Sequence, residues 1–399
     1  MFTPRLAVLG AGLMGVGIAC HFARHGHTVR LYDTDPQRLA EVPAVASAIL
    51  CELEASGQQD PADRDAVLAR LTPTPTLNAL ADATLLIEAI PERLALKHAL
   101  YAELETLIAD EAIIASNTSG LPPDRLAQGM RLPERLLIAH FWHPPHLIPL
   151  VEVVPGSATL PHLARQVSDF CAACALEAVV LNRAAPGFVG NRLQFALLRE
   201  ALHIVHSGIA SPEVVDQVMR ASLGRRYAMV GPLEAADMTG LATVQDICQH
   251  LLPELASGTE MMSLVAEKVA RGDTGARSGQ GFYRWDEARH QRIQSRREHQ
   301  LRFARNPSIA FCTPTITMRV RRRDECDNSP GRAGVTDAGS LPWIQRDPLC
   351  ADRRPRRGAA HRPGRGRPGL YRPVYGKNGR LCEALFPGVS AGRGIRQAD

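Results

Sequence analysis

Two side chains twelve residues apart, His140 and Glu152, offer the clearest chemistry in the chain. They sit in "RLLIAHFWHPPHLIPLVEVVPG", where one apolar run ends near His140, a proline-rich turn follows, and a second apolar run carries Glu152. A strand, a turn and a returning strand would bring both side chains to the carboxyl edge of a sheet. An imidazole with one nitrogen hydrogen-bonded to a carboxylate is fixed in one tautomer and made more basic. Its other nitrogen can then take a proton from a hydroxyl. The spacing alone leaves open a structural His and an unrelated strand-edge Glu. A metal is the other chemistry to weigh, because His140, His143 and His146 recur every three residues ahead of Glu152. Successive strand residues point to opposite faces, so neighbours three apart diverge, and tetrahedral zinc ligation is not expected.

A second constellation lies at the N-terminus. "RLAVLGAGLMGVGIACHFARHG" places Gly10, Gly12 and Gly15 directly after a strand and at the start of a helix, with Leu13 and Met14 between them. The first glycine permits a tight turn, the second lets backbone approach a pyrophosphate, and the third allows close helix–strand packing. Asp33 closes the next strand in "TVRLYDTD", 23 residues after Gly10. A carboxylate there accepts hydrogen bonds from the adenine ribose and repels a 2′-phosphate, which favours NAD over NADP. Asp35, just before Pro36, is the better candidate for a helix cap. A dinucleotide site and a general base together suit oxidation of a secondary alcohol.

The elements that must position these groups alternate. Strands are expected at Leu6–Leu9, Val29–Tyr32, Thr84–Ile90, Ala112–Ser116, Leu136–Phe141, Leu150–Val154 and Ala178–Leu181, with amphipathic stretches such as Leu13–Arg24 and Arg93–Ile108 between them. That alternation implies an α/β fold of the Rossmann type, a doubly wound and mostly parallel sheet, over residues 1–183. From Pro186 the period becomes helical. "GFVGNRLQFALLREALHIVHSG" reads as one helix stopped by Gly208, and "SPEVVDQVMRASLG" as another with a Ser cap, an early Pro and a closing Gly. An all-helical domain is therefore expected over residues 184–300.

Charge divides the chain again. From Leu301 to the end, 19 Arg and one Lys stand against 8 acids, so the first 300 residues are net −7 although the whole chain is +5. The last segment is rich in Arg, Gly and Pro and lacks a sustained period, so it cannot bury enough apolar surface to order itself. An irregular basic tail is expected over residues 301–399, either disordered or written by a shifted reading frame; three Lys against 43 Arg fits a GC-rich gene. A basic arm for nucleic acid is the less favoured use. The nine cysteines are scattered and odd in number, which suits free thiols in a reducing compartment. Cys171 and Cys174 fall in a helical stretch and read as buried structural residues rather than a redox or metal pair. No stretch reads as a signal peptide or a membrane span, and the cytoplasm is the expected location.

The motifs "GAGLMGVGIA", "LLIEAIPE", "ASNTSGL", "AHFWHPP", "PLVEVV", "APGFVGNRLQ", "GPLEAADMTGL" and "GQGFY" occur in the order and at the intervals of the 3-hydroxyacyl-CoA dehydrogenase family, which the chain resembles over roughly residues 5–285. The resemblance implies His140 as general base and Glu152 as the residue that orients it. It implies that Ser119 and Asn191 hydrogen-bond the reacting oxygen, that Glu92 and Lys97 line the cofactor site, and that Arg277 stands near the cofactor. It also implies a homodimer formed through the helical domain, and oxidation of a 3-hydroxyacyl-CoA such as 3-hydroxybutyryl-CoA. Without the resemblance, Lys97 would read as a solvated surface charge.

Two departures qualify these expectations. His143 stands where the family usually has an amide beside nicotinamide and substrate; imidazole is bulkier and titrates near neutrality. Acyl-CoA members carry a basic helical hairpin after the second strand, whereas residues 36–71 here contain no Lys and three Arg. The segment "HPPHLIPLVEVVPG" is similar to the branch that holds carnitine dehydrogenase, gulonate dehydrogenase with its lens-crystallin relative, and a pyridine-alcohol dehydrogenase. A free 3-hydroxy acid or alcohol is thus the alternative substrate, and an NAD(H)-binding structural protein without turnover is the alternative of another class.

Overall fold

The computed structural model describes residues 2–304. The expected basic tail lies outside the described residues except at its start, where a helix that begins at Glu287 runs on to Ala304.

Eight strands form one sheet in the order β3-β2-β1-β4-β5-β6-β7-β8. They are β1 (Leu6–Leu9), β2 (Val29–Tyr32), β3 (Leu71–Thr74), β4 (Leu85–Glu88), β5 (Ile113–Ser116), β6 (Leu136–Phe141), β7 (Leu150–Pro155) and β8 (Glu177–Val180). Strands β1 to β6 run parallel, β7 turns back antiparallel to β6, and β8 is parallel to β7. Helices α1 (Leu13–Arg24), α2 (Pro36–Ala55), α3 (Arg64–Ala69), α4 (Leu94–Leu104), α5 (Pro123–Leu126) and α6 (Pro161–Ala173) cover the two faces. Each face has its own core, one built on Val8, Phe22, Leu31 and Ile87, the other on Leu9, Leu86, Leu104 and Ile138. The central strands are buried on both faces, which is why they read as continuous apolar runs.

Strand β3 was not expected from the sequence. "LTPT" is short and contains Pro73, which a strand tolerates at the sheet edge, where β3 lies. Strand β4 is shorter than expected because Ala89 and Ile90 already belong to the turn over the strand ends.

The second segment is helical, with α7 (Gly190–His206), α8 (Pro212–Ala221), α9 (Leu223–Arg226), α10 (Pro232–Thr239), α11 (Leu241–Leu251), α12 (Met262–Ala270) and α13 (Glu287–Ala304). Gly224 does not close α8 as the sequence suggests. That helix ends at Ala221, and Gly224 lies inside α9. Among the described residues, no helix is long and apolar enough to cross a membrane. Cys171 and Cys174 are buried at the end of α6, and burial raises the Cys174 thiol to about 11 and the Cys171 thiol further, so both stay protonated.

Candidate active site

The β6–β7 hairpin sets His140 directly opposite Glu152 in the antiparallel register. Paired residues of two such strands share a face, and His140 Nδ1 lies 2.9 Å from Glu152 Oε2. Both are buried. The other carboxylate oxygen, Oε1, accepts the backbone N–H groups of Val189 (2.9 Å) and Gly190 (3.0 Å) at the start of α7. The Trp142 indole donates to Oε2 at 3.3 Å. Burial alone would raise the Glu152 pKa. The Gly190 N–H, the His140 ring, the Val189 N–H and the Trp142 indole together outweigh burial and hold it below the ordinary carboxylate value. One anion therefore fixes the imidazole, the indole and the first turn of the helix that opens the second segment.

The approach to that helix is tightly built. Phe188 takes a left-handed φ of +51° and packs its ring 5.6 Å from that of His140. A Cβ on Gly190 would collide with the Trp142 ring. Neither Trp142 nor Gly190 was singled out from sequence, although "HFW" and "GFVGN" contain them, because their contact spans the sheet and the helix.

Asn191 Nδ2 donates to the Ser119 carbonyl at 3.3 Å, which brings the β5 loop and α7 together. Both residues line a cleft of about 630 Å³ with Pro186, Gly187, Arg192, Phe195, Ala196 and Arg199.

The dinucleotide side is a cleft of about 740 Å³ over the strand ends, lined among others by Gly10, Gly12, Leu13, Met14, Asp33, Ile90 and His143. Gly10 has φ +103°, and a Cβ there would stand 2.7 Å from the Ala89 carbonyl oxygen. A Cβ on Gly15 would collide with the Gly10 carbonyl. Gly12 faces open space at the N-terminus of α1, whose first N–H groups have no intrahelical partners. This bare backbone fits a pyrophosphate. Asp33 Oδ2 accepts the Ala11 N–H at 2.7 Å and Oδ1 the Asp35 N–H at 2.9 Å, so the carboxylate also shapes the glycine turn. Asp35 caps α2 through the Gln37 N–H.

Five residues expected at the cofactor do not line this cleft: Gly15, which packs under the glycine turn, Ser119, which lines the cleft it shares with Asn191, and Glu92, Lys97 and Arg277. Arg277 is exposed on the turn Ala276–Ser278 of the helical segment. Lys97 is buried rather than solvated, with its ammonium 2.7 and 2.9 Å from the two oxygens of Glu88 and 3.2 Å from Glu92. Glu92 also accepts the Thr118 hydroxyl. Glu88 takes further hydrogen bonds from Tyr101 (2.6 Å), Ser116 (2.7 Å) and the Ile90 N–H (2.9 Å). Burial, then the Glu88 charge, pushes the Tyr101 phenol well above its usual pKa, so it remains a donor. Lys97 and Glu92 thus brace the β4 and β5 loops from beneath.

The three histidines part company. His140 pairs with Glu152, His146 Nε2 lies 3.2 Å from Glu52, and His143 opens into the dinucleotide cleft. Among the described residues, no group of three or more His, Cys, Asp or Glu could hold a metal ion. Arg297 of α13 donates to the His143 carbonyl at 3.3 Å. Partial burial, then the charges of Arg297 and His146, hold the His143 pKa below the ordinary 6.5.

A glycine turn at a helix N-terminus, a carboxylate closing the next strand and lining the same cleft, and a carboxylate-held imidazole at the strand ends define an NAD-dependent dehydrogenase. Residues 5–184 match the 3-hydroxyacyl-CoA dehydrogenase NAD binding domain and residues 187–285 its C-terminal domain, and the chain belongs to the 3-hydroxyacyl-CoA dehydrogenase family. It is 32% identical over 297 residues to a 5-formyl-3-hydroxy-2-methylpyridine 4-carboxylate 5-dehydrogenase of Mesorhizobium japonicum, a match covering 74% of this chain and 95% of that one. It is 37% identical to an L-carnitine dehydrogenase of Streptomyces griseus (63% and 75% covered) and 34% identical to a probable 3-hydroxybutyryl-CoA dehydrogenase of Bacillus subtilis (72% and 99%). A solved structure of a pyridine carboxylic acid 5-dehydrogenase, described as an NAD+ dependent dismutase, superposes with a TM-score of 0.70 at 31% identity, covering 76% of this chain and 98% of that one.

Proposed function

We propose that the chain oxidises the hydroxyl carbon of a small free 3-hydroxy acid to the 3-oxo acid, with His140 as general base. The observation that carries the choice of a free acid over a thioester is the charge of the hairpin after β2. Residues 36–71 hold three Arg and six acids. Arg64 is bound by Glu54, Arg70 donates to the Ala23 carbonyl, and Arg38 lies beside Asp33 and Asp35. A coenzyme A 3′-phosphate would meet net negative charge there. The similarity to enzymes named for a pyridine carboxylate and for L-carnitine supports the same choice.

Bound NAD supplies the acceptor for the hydride that leaves the carbinol carbon. With Nδ1 committed to Glu152, His140 takes the hydroxyl proton at Nε2. Glu152 stabilises the imidazolium that results. Ser119 and Asn191 donate to the oxygen as it becomes a carbonyl, and Asp33 holds the adenine ribose. The helical segment pairs with a second copy, a role supported by the exposure of Leu233, Met238, Met229 and Leu241.

The coenzyme A thioester is the second reading, favoured by the similarity across 99% of the Bacillus subtilis relative. NADH formation by the purified chain with carnitine, 3-hydroxybutyrate, gulonate and 3-hydroxybutyryl-CoA separates the two. Turnover of at least one free acid, with a higher kcat/KM than the thioester, is expected. Preference for the thioester would overturn the choice.

A further inference from the structure

The cleft shared by Ser119 and Asn191 carries a feature that proton transfer does not use. Its α7 wall presents Arg192, Phe195, Ala196 and Arg199, spaced i, i+3, i+4 and i+7, which is one face of a helix. Among the described residues, no acid lines the cleft. Glu200, the acid next to Arg199, is turned to the Ala256 N–H at 2.8 Å. Among the described residues neither arginine has an ion-pair partner, and the side-chain hydrogen bond of Arg192, to the Pro186 carbonyl, is long at 3.5 Å. Two guanidinium groups therefore face a cleft whose other polar groups are those proposed to hold the reacting oxygen.

From this placement, and resting on the free-acid reading above, we infer that Arg192 and Arg199 form a carboxylate clasp that binds the acid group of the substrate. At 1.5 Å rise per residue, Asn191 and Arg199 stand about 12 Å apart along the helix. Helical side chains lean toward the N-terminus, so the Arg199 guanidinium closes much of that separation toward Asn191. A carboxylate one or two carbons from the carbinol fits between them, and a planar guanidinium matches it with two parallel hydrogen bonds. Phe195, 58% exposed, offers an apolar wall to the carbons between the two ends. The phosphates of coenzyme A do not suit this place, because the pantetheine arm holds them far from the acyl carbon. Cationic charge at this distance from Ser119 also selects acids over neutral alcohols, since the clasp loses its partner with an uncharged substrate.

The test is steady-state kinetics of the full chain with the best free acid and with the primary amide of the same acid. Arg199→Met should raise KM for the acid about 10- to 100-fold, as expected for loss of charge-assisted hydrogen bonds, with a smaller change in kcat. Its KM for the amide should stay as in the unaltered chain. Arg192→Met should move KM in the same direction, and Arg199→Lys should recover part of the loss. NADH affinity, read by fluorescence, reports a separate cleft and should not move, which shows the variants fold. Acid turnover with KM unchanged in both methionine variants would overturn the clasp and leave the free-acid reading standing. An unaltered chain that turns over only the thioester would overturn that reading and the clasp with it.

Discussion

Replacing Glu152 by Gln keeps the shape of the side chain and removes what its two oxygens do together. As a carboxylate it accepts from Val189 N and Gly190 N on one oxygen and faces Trp142 Nε1 and His140 Nδ1 with the other. An amide has one acceptor and one donor end. With its oxygen toward α7, its NH2 meets the indole donor and must donate to His140 Nδ1, which moves the imidazole proton to Nε2. With its oxygen toward His140, the NH2 confronts two backbone donors. The first arrangement leaves fewer donors opposed, and it places a proton on the nitrogen that must accept one. Loss of the correct tautomer, by analogy with triad enzymes, lowers kcat on the order of 10³- to 10⁴-fold. Several bonds to a charge become bonds to a neutral group, which costs about 2–4 kcal/mol of stability. The native carboxylate has a lowered pKa, so its contribution is present above the unfolded value of about 4.3 and is lost as pH falls through the lower folded value. The Gln variant should lack that acid limb in thermal melts. NADH formation at saturating substrate, NADH affinity and melting temperature together read the effect. A Glu152→Gln enzyme with nearly native kcat would refute the orienting role.

Further outcomes follow from the same geometry. Gly190→Ala drives a methyl into Trp142 and should cost about 1–3 kcal/mol and most of the activity; a fully active, equally stable variant would show that the start of α7 has slack. Asp33→Ala should lower the preference for NAD over NADP, and, because Ala11 N and Asp35 N lose their acceptor, weaken NAD binding as well; an unchanged ratio counts against the ribose role. His143 is neutral at pH 7 and gains charge only below the ordinary 6.5. Acid should then weaken NAD, whose nicotinamide is cationic, more than NADH, and His143→Asn should abolish that difference in a titration of both nucleotides.

The glycine turn, Asp33 and the paired hairpin were legible because each depends on local spacing: a strand, a tight turn and a helix start in one case, two strands and a short loop in the other. What was hidden depends on contacts between distant segments. Lys97 reads as a surface lysine on α4 because, although a strand over Thr84–Ile90 is expected, its spacing does not show that Glu88 of that strand lies buried against the lysine. The one signal was a Glu closing the apolar run "LLIE". Trp142 and Gly190 meet across 48 residues, and Arg297 returns from α13 to the His143 turn across 154. Strand β3 was masked by its own proline.

The role of His140 is tested most directly by His140→Gln, assayed for NADH formation and for NADH binding in parallel. Turnover should be abolished while NADH affinity stays nearly native, the outcome expected if the imidazole takes the proton and the cleft lined by Gly10, Gly12 and Asp33 holds the dinucleotide. Retained turnover, or loss of NADH binding in a folded variant, would contradict its assignment as the base.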